Sequence, residues 1–189
     1  MFDDGRRDDL RARLLARHGA ARLSSLHLTR SERRTVARML SEKVLTSHPD
    51  HVVALPSAEA LVITCRRLGG VMTCGHALKH YGIPLREPPG ILHVAIPAQR
   101  SRVPNAIGRT VVHRVRGLLI PKDTKPPVAE VEQALICYMR CADELDALIS
   151  LDAALRIGYT TRSQLASALQ GPRNRPLRSL LAQAQPTAR

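Results

Sequence analysis

The chain has 189 residues, 44% of them hydrophobic, enough for one or two domains with ordinary cores and too apolar for a wholly disordered chain. One Phe, three Tyr and no Trp leave the core aliphatic and remove the aromatic platforms on which single-strand binders stack bases. The formal charge of +13 arises from 29 basic and 16 acidic residues, and 25 of the basic ones are arginine. Arginine forks grip phosphates and guanine edges better than lysine does, so a polyanion is the favoured partner.

The positive excess is uneven. Residues 1–56 carry 11 basic against 7 acidic side chains, residues 57–127 carry 11 against 3, and residues 128–189 carry 7 against 6. No apolar run of about 18 residues is present, and the acidic start Met1-Phe2-Asp3-Asp4 does not fit a signal peptide. A cytoplasmic protein is expected, without membrane contact.

In chain order, Leu10, Leu14 and Leu15 recur at helical spacing and predict a first helix from Asp8 to His18, stopped by Gly19. A shorter helix fits Ala21 to Leu28. Thr29, with Glu32 three residues on, has capping-box spacing and predicts a third helix from Arg30 to about Lys43. With Val36 turned inward, a step of about 100° per residue sets Met39 and Leu40 beside it. Ser31, Arg34, Arg38 and Ser41 then fall on the opposite face, flanked by Arg30 and Thr35. Arg33 lies nearer the core edge, where a phosphate or an acidic neighbour suits it better than a base edge. Arg34 and Arg38 are the base-reading candidates; the alternative is an arginine-rich face that is merely solvated.

Val44-Leu45-Thr46 and His51-Val52-Val53-Ala54-Leu55 are β-prone and surround the turn residues Ser47-His48-Pro49-Asp50. A hairpin here would be the wing of a winged helix-turn-helix occupying residues 1–56 and closed by Pro56. Its tip offers His48 and His51, which attract phosphate little while neutral.

Helices are expected from Ser57 to Leu68 and from Cys74 to Tyr81, then strands at Ile91–Pro97 and Thr110–Val115. The basic loop from Gln99 to Arg109 lies between these strands; its Arg100 and Arg102 either rest on a phosphate backbone or face solvent. Beyond Pro126-Pro127 the pattern is helical: Val128–Arg140, Asp143–Arg156, Thr161–Leu169 and Pro176–Ala184. The fold class expected is α+β, mostly helical. Residues 57–189 form a second domain, a small α/β segment followed by a helical bundle suited to homodimerisation or partner binding.

Cys65, Cys74, Cys137 and Cys141 show no CxxC pairing, and reduced thiols are expected. Cys137 and Cys141 are one helical turn apart, but Leu135, Ile136 and Met139 around them favour small core residues. His76 and His80 sit at i, i+4 without an acidic third ligand, and His93 and His113 show no ligand or triad spacing. Glu130 and Glu132 diverge on a helix, while Asp143 and Asp146 share a face with no His nearby. A Walker loop, a GxSxG elbow and an HExxH are all absent. The reading is no enzyme, no cofactor and no metal.

The order of motifs resembles the AbiEi-like antitoxin and regulator proteins of bacteria, including relatives whose N-terminal part precedes a Vsr-like nuclease domain. The resemblance spans most of the chain. Its carriers are Leu15-Ala16-Arg17-His18-Gly19, Leu28-Thr29-Arg30-Ser31, Val53-Ala54-Leu55-Pro56, Leu68-Gly69-Gly70-Val71-Met72-Thr73-Cys74 with Ala77-Leu78 and Tyr81-Gly82, and Leu92-His93-Val94-Ala95-Ile96-Pro97. Leu151-Asp152-Ala153-Ala154-Leu155-Arg156 and Thr160-Thr161-Arg162-Ser163-Gln164-Leu165 complete it. Operator binding through the winged helix, autorepression and neutralisation of a nucleotidyltransferase toxin are what the resemblance implies. This chain departs from it in a wing built on histidines rather than arginines around a glycine, and in ending at Arg189, so no cleavage is expected.

The leading expectation is a sequence-specific repressor of double-stranded DNA, an autoregulator or a phage immunity repressor. An antitoxin acting by protein–protein contact is the alternative, and a nuclease-less remnant of a Vsr-like endonuclease is the third reading.

Overall fold

A computed structural model describes residues 2–100, 103 and 108–185. These residues form eight α-helices and two three-stranded sheets, an α+β architecture in which helix predominates. By internal contacts the chain divides into two compact units, each assembled from separated stretches. Met1–Val71, Ile96–Gly108 and Val115–Pro127 make the first; Met72–Ala95, Arg109–Arg114 and Val128–Arg189 make the second.

The first unit opens with α1 (Phe2–Leu15), which begins earlier than the apolar spacing predicts and ends three residues sooner. Gly19 follows with φ +83, and a β-carbon there would stand 2.9 Å from that of Ala58. The turn therefore needs glycine for both its backbone angle and its space. Residues 21 to 28 do not form the expected helix. They give β1 (Ala20–Arg22) and a single 3₁₀ turn, Leu23–Leu26. Tertiary pairing overrides helical spacing here: Ala20, Ala21 and Arg22 lie antiparallel to Ala54, Val53 and Val52, and Ala20 and Ala21 are wholly buried.

Next come α2 (Arg30–Ser41), β2 (Thr46–His48) and β3 (Val52–Ala54). The sheet order is β1-β3-β2, with His48 opposite Val52. Asp50 and His51, at φ +65 and +58, carry the chain around the β2–β3 turn. Leu10, Leu14, Leu26, Val36, Met39 and Val53 fill the core between helices and sheet, and each fully buried side chain of this size stabilises by roughly 1.5–3 kcal/mol. This unit continues past Pro56. The α3 helix (Ala60–Leu68) sets Val62 against Ala20, Val52 and Ala54 and ends at Gly69 in the left-handed region, φ +57.

The second sheet has the order β4 (Val71–Met72), β5 (Leu92–Pro97), β6 (Thr110–Val115). Within the second unit, the Thr73 amide donates to the His93 carbonyl at 2.9 Å, fixing the start of α4 (Cys74–His80) beside β5. The four helices that follow are α5 (Val131–Met139), α6 (Glu144–Ile157), α7 (Arg162–Ala168) and α8 (Arg175–Gln183). They share an aliphatic core that includes Ile136, Leu151, Leu165, Leu169 and Leu180. Asp143 caps α6 by accepting from the Asp146 amide at 2.8 Å, and Thr161 with Gln164 forms a capping box on α7.

Candidate nucleic-acid interface

The α2 helix is fixed at its first turn and along one side. The Thr29 hydroxyl accepts from the Glu32 amide at 3.3 Å, and the Glu32 carboxylate accepts from the Thr29 amide at 2.6 Å, closing the capping box the spacing predicts. The Thr29 amide, and then the Thr29 hydroxyl, which donates to the same carboxylate at 2.8 Å, hold the Glu32 carboxyl below its ordinary value of 4.5, with smaller help from Arg13. Arg13 of α1 donates to Glu32 at 2.6 Å and to the Leu26 carbonyl. One guanidinium thereby ties α1, the 3₁₀ turn and α2 together.

With Val36 and Met39 buried on the inner side, the outer side presents Arg30, Ser31, Arg34, Arg38 and Ser41, all exposed. Ser41 donates to the Arg38 carbonyl at 2.8 Å, and the Ser31 and Thr29 hydroxyls lie 3.1 Å apart. Thr35 departs from its expected place on the flank. It is 2% exposed, and its hydroxyl donates to the Ser31 carbonyl at 3.3 Å, the backward bond that a helical threonine makes when no water reaches it. Arg33 stands beside Leu28, Val36 and Leu40 in the lining of a cleft of about 490 Å³, in keeping with its expected position near the core edge.

The β2–β3 turn offers little cationic surface of its own. The His48 ring shares a hydrogen bond with the Thr46 hydroxyl at 3.0 Å, and Asp50 accepts from Arg67 of α3 at 3.2 Å. Arg22 donates to the Arg66 carbonyl at 2.7 Å and also to the Arg67 carbonyl, the usual service of a cation to the last carbonyls of a helix. Arg66 is 6% exposed and bonds Asp123 through carboxylate and carbonyl, at 2.8 and 2.6 Å. Burial pushes its pKa down, with Asp123 opposing. Arg100 is half-buried, and its guanidinium packs on Gly69. Burial first, then Arg22, lowers its pKa against the pull of Asp50. Arg102 lies outside the described residues.

Sequence spacing gave no ligand set, yet in the second unit Cys74, His93, His113 and Cys141 bring one donor atom each to within 4.8 Å of one another. Cys74 is the first residue of α4, His93 lies on β5, His113 on β6, and Cys141 just beyond α5. The Cys74 sulfur is 3.3 Å from that of Cys141 and 3.5 Å from His113 Nε2. His93 Nδ1 lies 3.0 Å from His113 Nε2 and 3.6 Å from the Cys141 sulfur. The imidazole rings stack with centroids 5.2 Å apart. When protonated, Cys141 donates to the Cys137 carbonyl at 2.9 Å. Neither helical pair weighed from the sequence, Cys137 with Cys141 or His76 with His80, makes up this set: Cys137 is buried on α5, where Gln133 donates to its sulfur at 3.4 Å and its thiol hydrogen-bonds Cys74, whereas Cys141 is exposed. The only signal in the sequence was residue type, because the four positions are 19 or more residues apart.

No family model matches the chain, and no curated protein matches it.

Proposed function

We propose that the chain is a sequence-specific double-stranded DNA-binding protein, a transcriptional repressor acting through a winged helix-turn-helix in residues 1–56, with α2 as its recognition helix. The observation that carries the reading is the outer row of α2: Arg30, Arg34 and Arg38 stand exposed on a helix whose inner side and first turn are locked. Rigid support matters because a recognition helix must enter the major groove with its side chains already placed. The element order α1, β1, 3₁₀ turn, α2, β2, β3 and the sheet order β1-β3-β2 suit that motif, with the β2–β3 turn as the wing. Because Asp50 is held by Arg67, the wing is a weak anchor, and α2 carries both base reading and much of the phosphate contact. Binding as a homodimer would place two copies of α2 about one helical turn apart on a two-fold operator.

Selection from a random duplex pool followed by gel shift tests this. A preferred site should emerge, and Arg34→Ala or Arg38→Ala should each cost about 1–3 kcal/mol and relax base preference locally. If no site is enriched, or both variants bind like the parent, α2 is not the reading element.

A further inference from the structure

We infer that Cys74, His93, His113 and Cys141 form a structural zinc site, an S₂N₂ centre holding α4, β5, β6 and the end of α5 together. The inference is independent of the DNA-binding reading. At zinc bond lengths of about 2.3 Å to sulfur and about 2.0 Å to nitrogen, a regular tetrahedron has edges near 3.8 Å for S–S, about 3.6 Å for S–N and about 3.3 Å for N–N. The corresponding separations are 3.3 Å, 3.5 and 3.6 Å, and 3.0 Å. These four edges lie within about half an ångström of the zinc values and the other two are within 4.8 Å, so the cage is of zinc size and its side chains adjust around the ion on loading.

The donor set also selects the metal. Two thiolates neutralise a divalent ion, and a tetrahedral S₂N₂ set suits zinc rather than magnesium or calcium, which prefer oxygen. Four protein donors fill the coordination sphere and leave no position for a reacting water, the mark of a structural rather than a catalytic centre. On binding, the Cys74 and Cys141 protons pass to solvent, and Cys141 gives up its hydrogen bond to the Cys137 carbonyl.

Two further features belong to the same place. Cys74 has φ +51, a left-handed conformation uncommon for a residue bearing a β-carbon and one that gathers at functional sites. A cleft of about 370 Å³, lined in part by Cys74, His93, Tyr138 and Cys141, supplies a path for the ion to enter, and the exposed Cys141 stands on it.

The test takes the full chain, reduced and stripped by a chelator without denaturant, and titrates it with cobalt(II) and then zinc(II). One equivalent of cobalt should bind with a thiolate charge-transfer band and the intense visible bands of a tetrahedral centre, and zinc should displace it. Cys141→Ser and His113→Ala should lower uptake from one equivalent to below about a tenth, while Cys65→Ser keeps it whole. Because a ligand variant can lose its fold, the parent chain is also labelled with a thiol reagent, and zinc should slow modification of Cys141 at least about tenfold. Absence of the cobalt bands in the parent, an unchanged spectrum in Cys141→Ser, or a Cys74–Cys141 disulfide that forms in preference to metal uptake would overturn the assignment.

Discussion

Arginine does two kinds of work in this chain, and burial separates them. Arg30, Arg34 and Arg38 reach outward from α2, whereas Arg13, Arg22 and Arg66 spend their guanidinium forks on carbonyls and carboxylates inside the first unit. Net charge therefore overstates the surface available to a polyanion. Asp123→Ala makes the structural role measurable, since it strips the carboxylate from a guanidinium that is 6% exposed. Removing one member of a buried pair costs about 3–5 kcal/mol; Asp123 is 30% exposed and Arg66 keeps its carbonyl partners, so a loss of about 2 kcal/mol in urea-unfolding stability is expected. Thr35→Val is the complementary control. The hydroxyl it removes faces the helix backbone, so DNA affinity should stay within about twofold, a shift of less than 0.5 kcal/mol. A large loss of binding would return Thr35 to the contact face.

At the scale of elements, α2 owes its position to its N-terminal turn. Thr29→Ala removes the acceptor for the Glu32 amide, and the usual cost of losing such a cap is about 0.5–2 kcal/mol, read as a lower urea midpoint. Glu32 adds a pH signature. Its pKa in the folded chain is below the ordinary value of 4.5, so its charge stabilises the fold above that value and the contribution is lost as pH falls through the folded pKa. Glu32→Gln preserves a cap acceptor and removes the charge; the stability gap between it and the parent should narrow as pH drops below 4.5. A constant gap down to pH 3 would show that the charge of Glu32 does not contribute. The elements also show where local pattern was sufficient. The capping box at Thr29, the helices opening at Asp143 and Thr161, and β6 were all legible, because each is written in residues a few positions apart. The segment from Ala21 to Leu28 was not, because its helical spacing competes with the pairing of Ala20, Ala21 and Arg22 to Ala54, Val53 and Val52, 30 to 34 residues away.

For the molecule as a whole, among the described residues no helix is long and apolar enough to cross a membrane, and the basic excess lies in residues 1–127. Association state becomes measurable through salt. Each phosphate contact contributes a slope of about −0.9 in log K against log salt, so an Arg30→Ala substitution that removes one contact per copy should flatten the slope by about two in a homodimer. A change near one would mean that a single copy binds. Stripping metal should act on the second unit, where its proposed ligands lie, and the Arg30→Ala slope change gives a reference for deciding whether DNA binding responds as well.

The sequence by itself determined the α+β composition, the Thr29 cap of α2, the exposed arginine row and the aliphatic character of the core, since short-range periodicity and side-chain chemistry dictate each of them. Only tertiary structure decided that Thr35 is buried, that Ala20–Arg22 is a strand, and that two histidines and two cysteines from four distant stretches face one another. Such a meeting depends on strand pairing and helix packing over as many as 67 residues of separation, and local spacing carries no record of it.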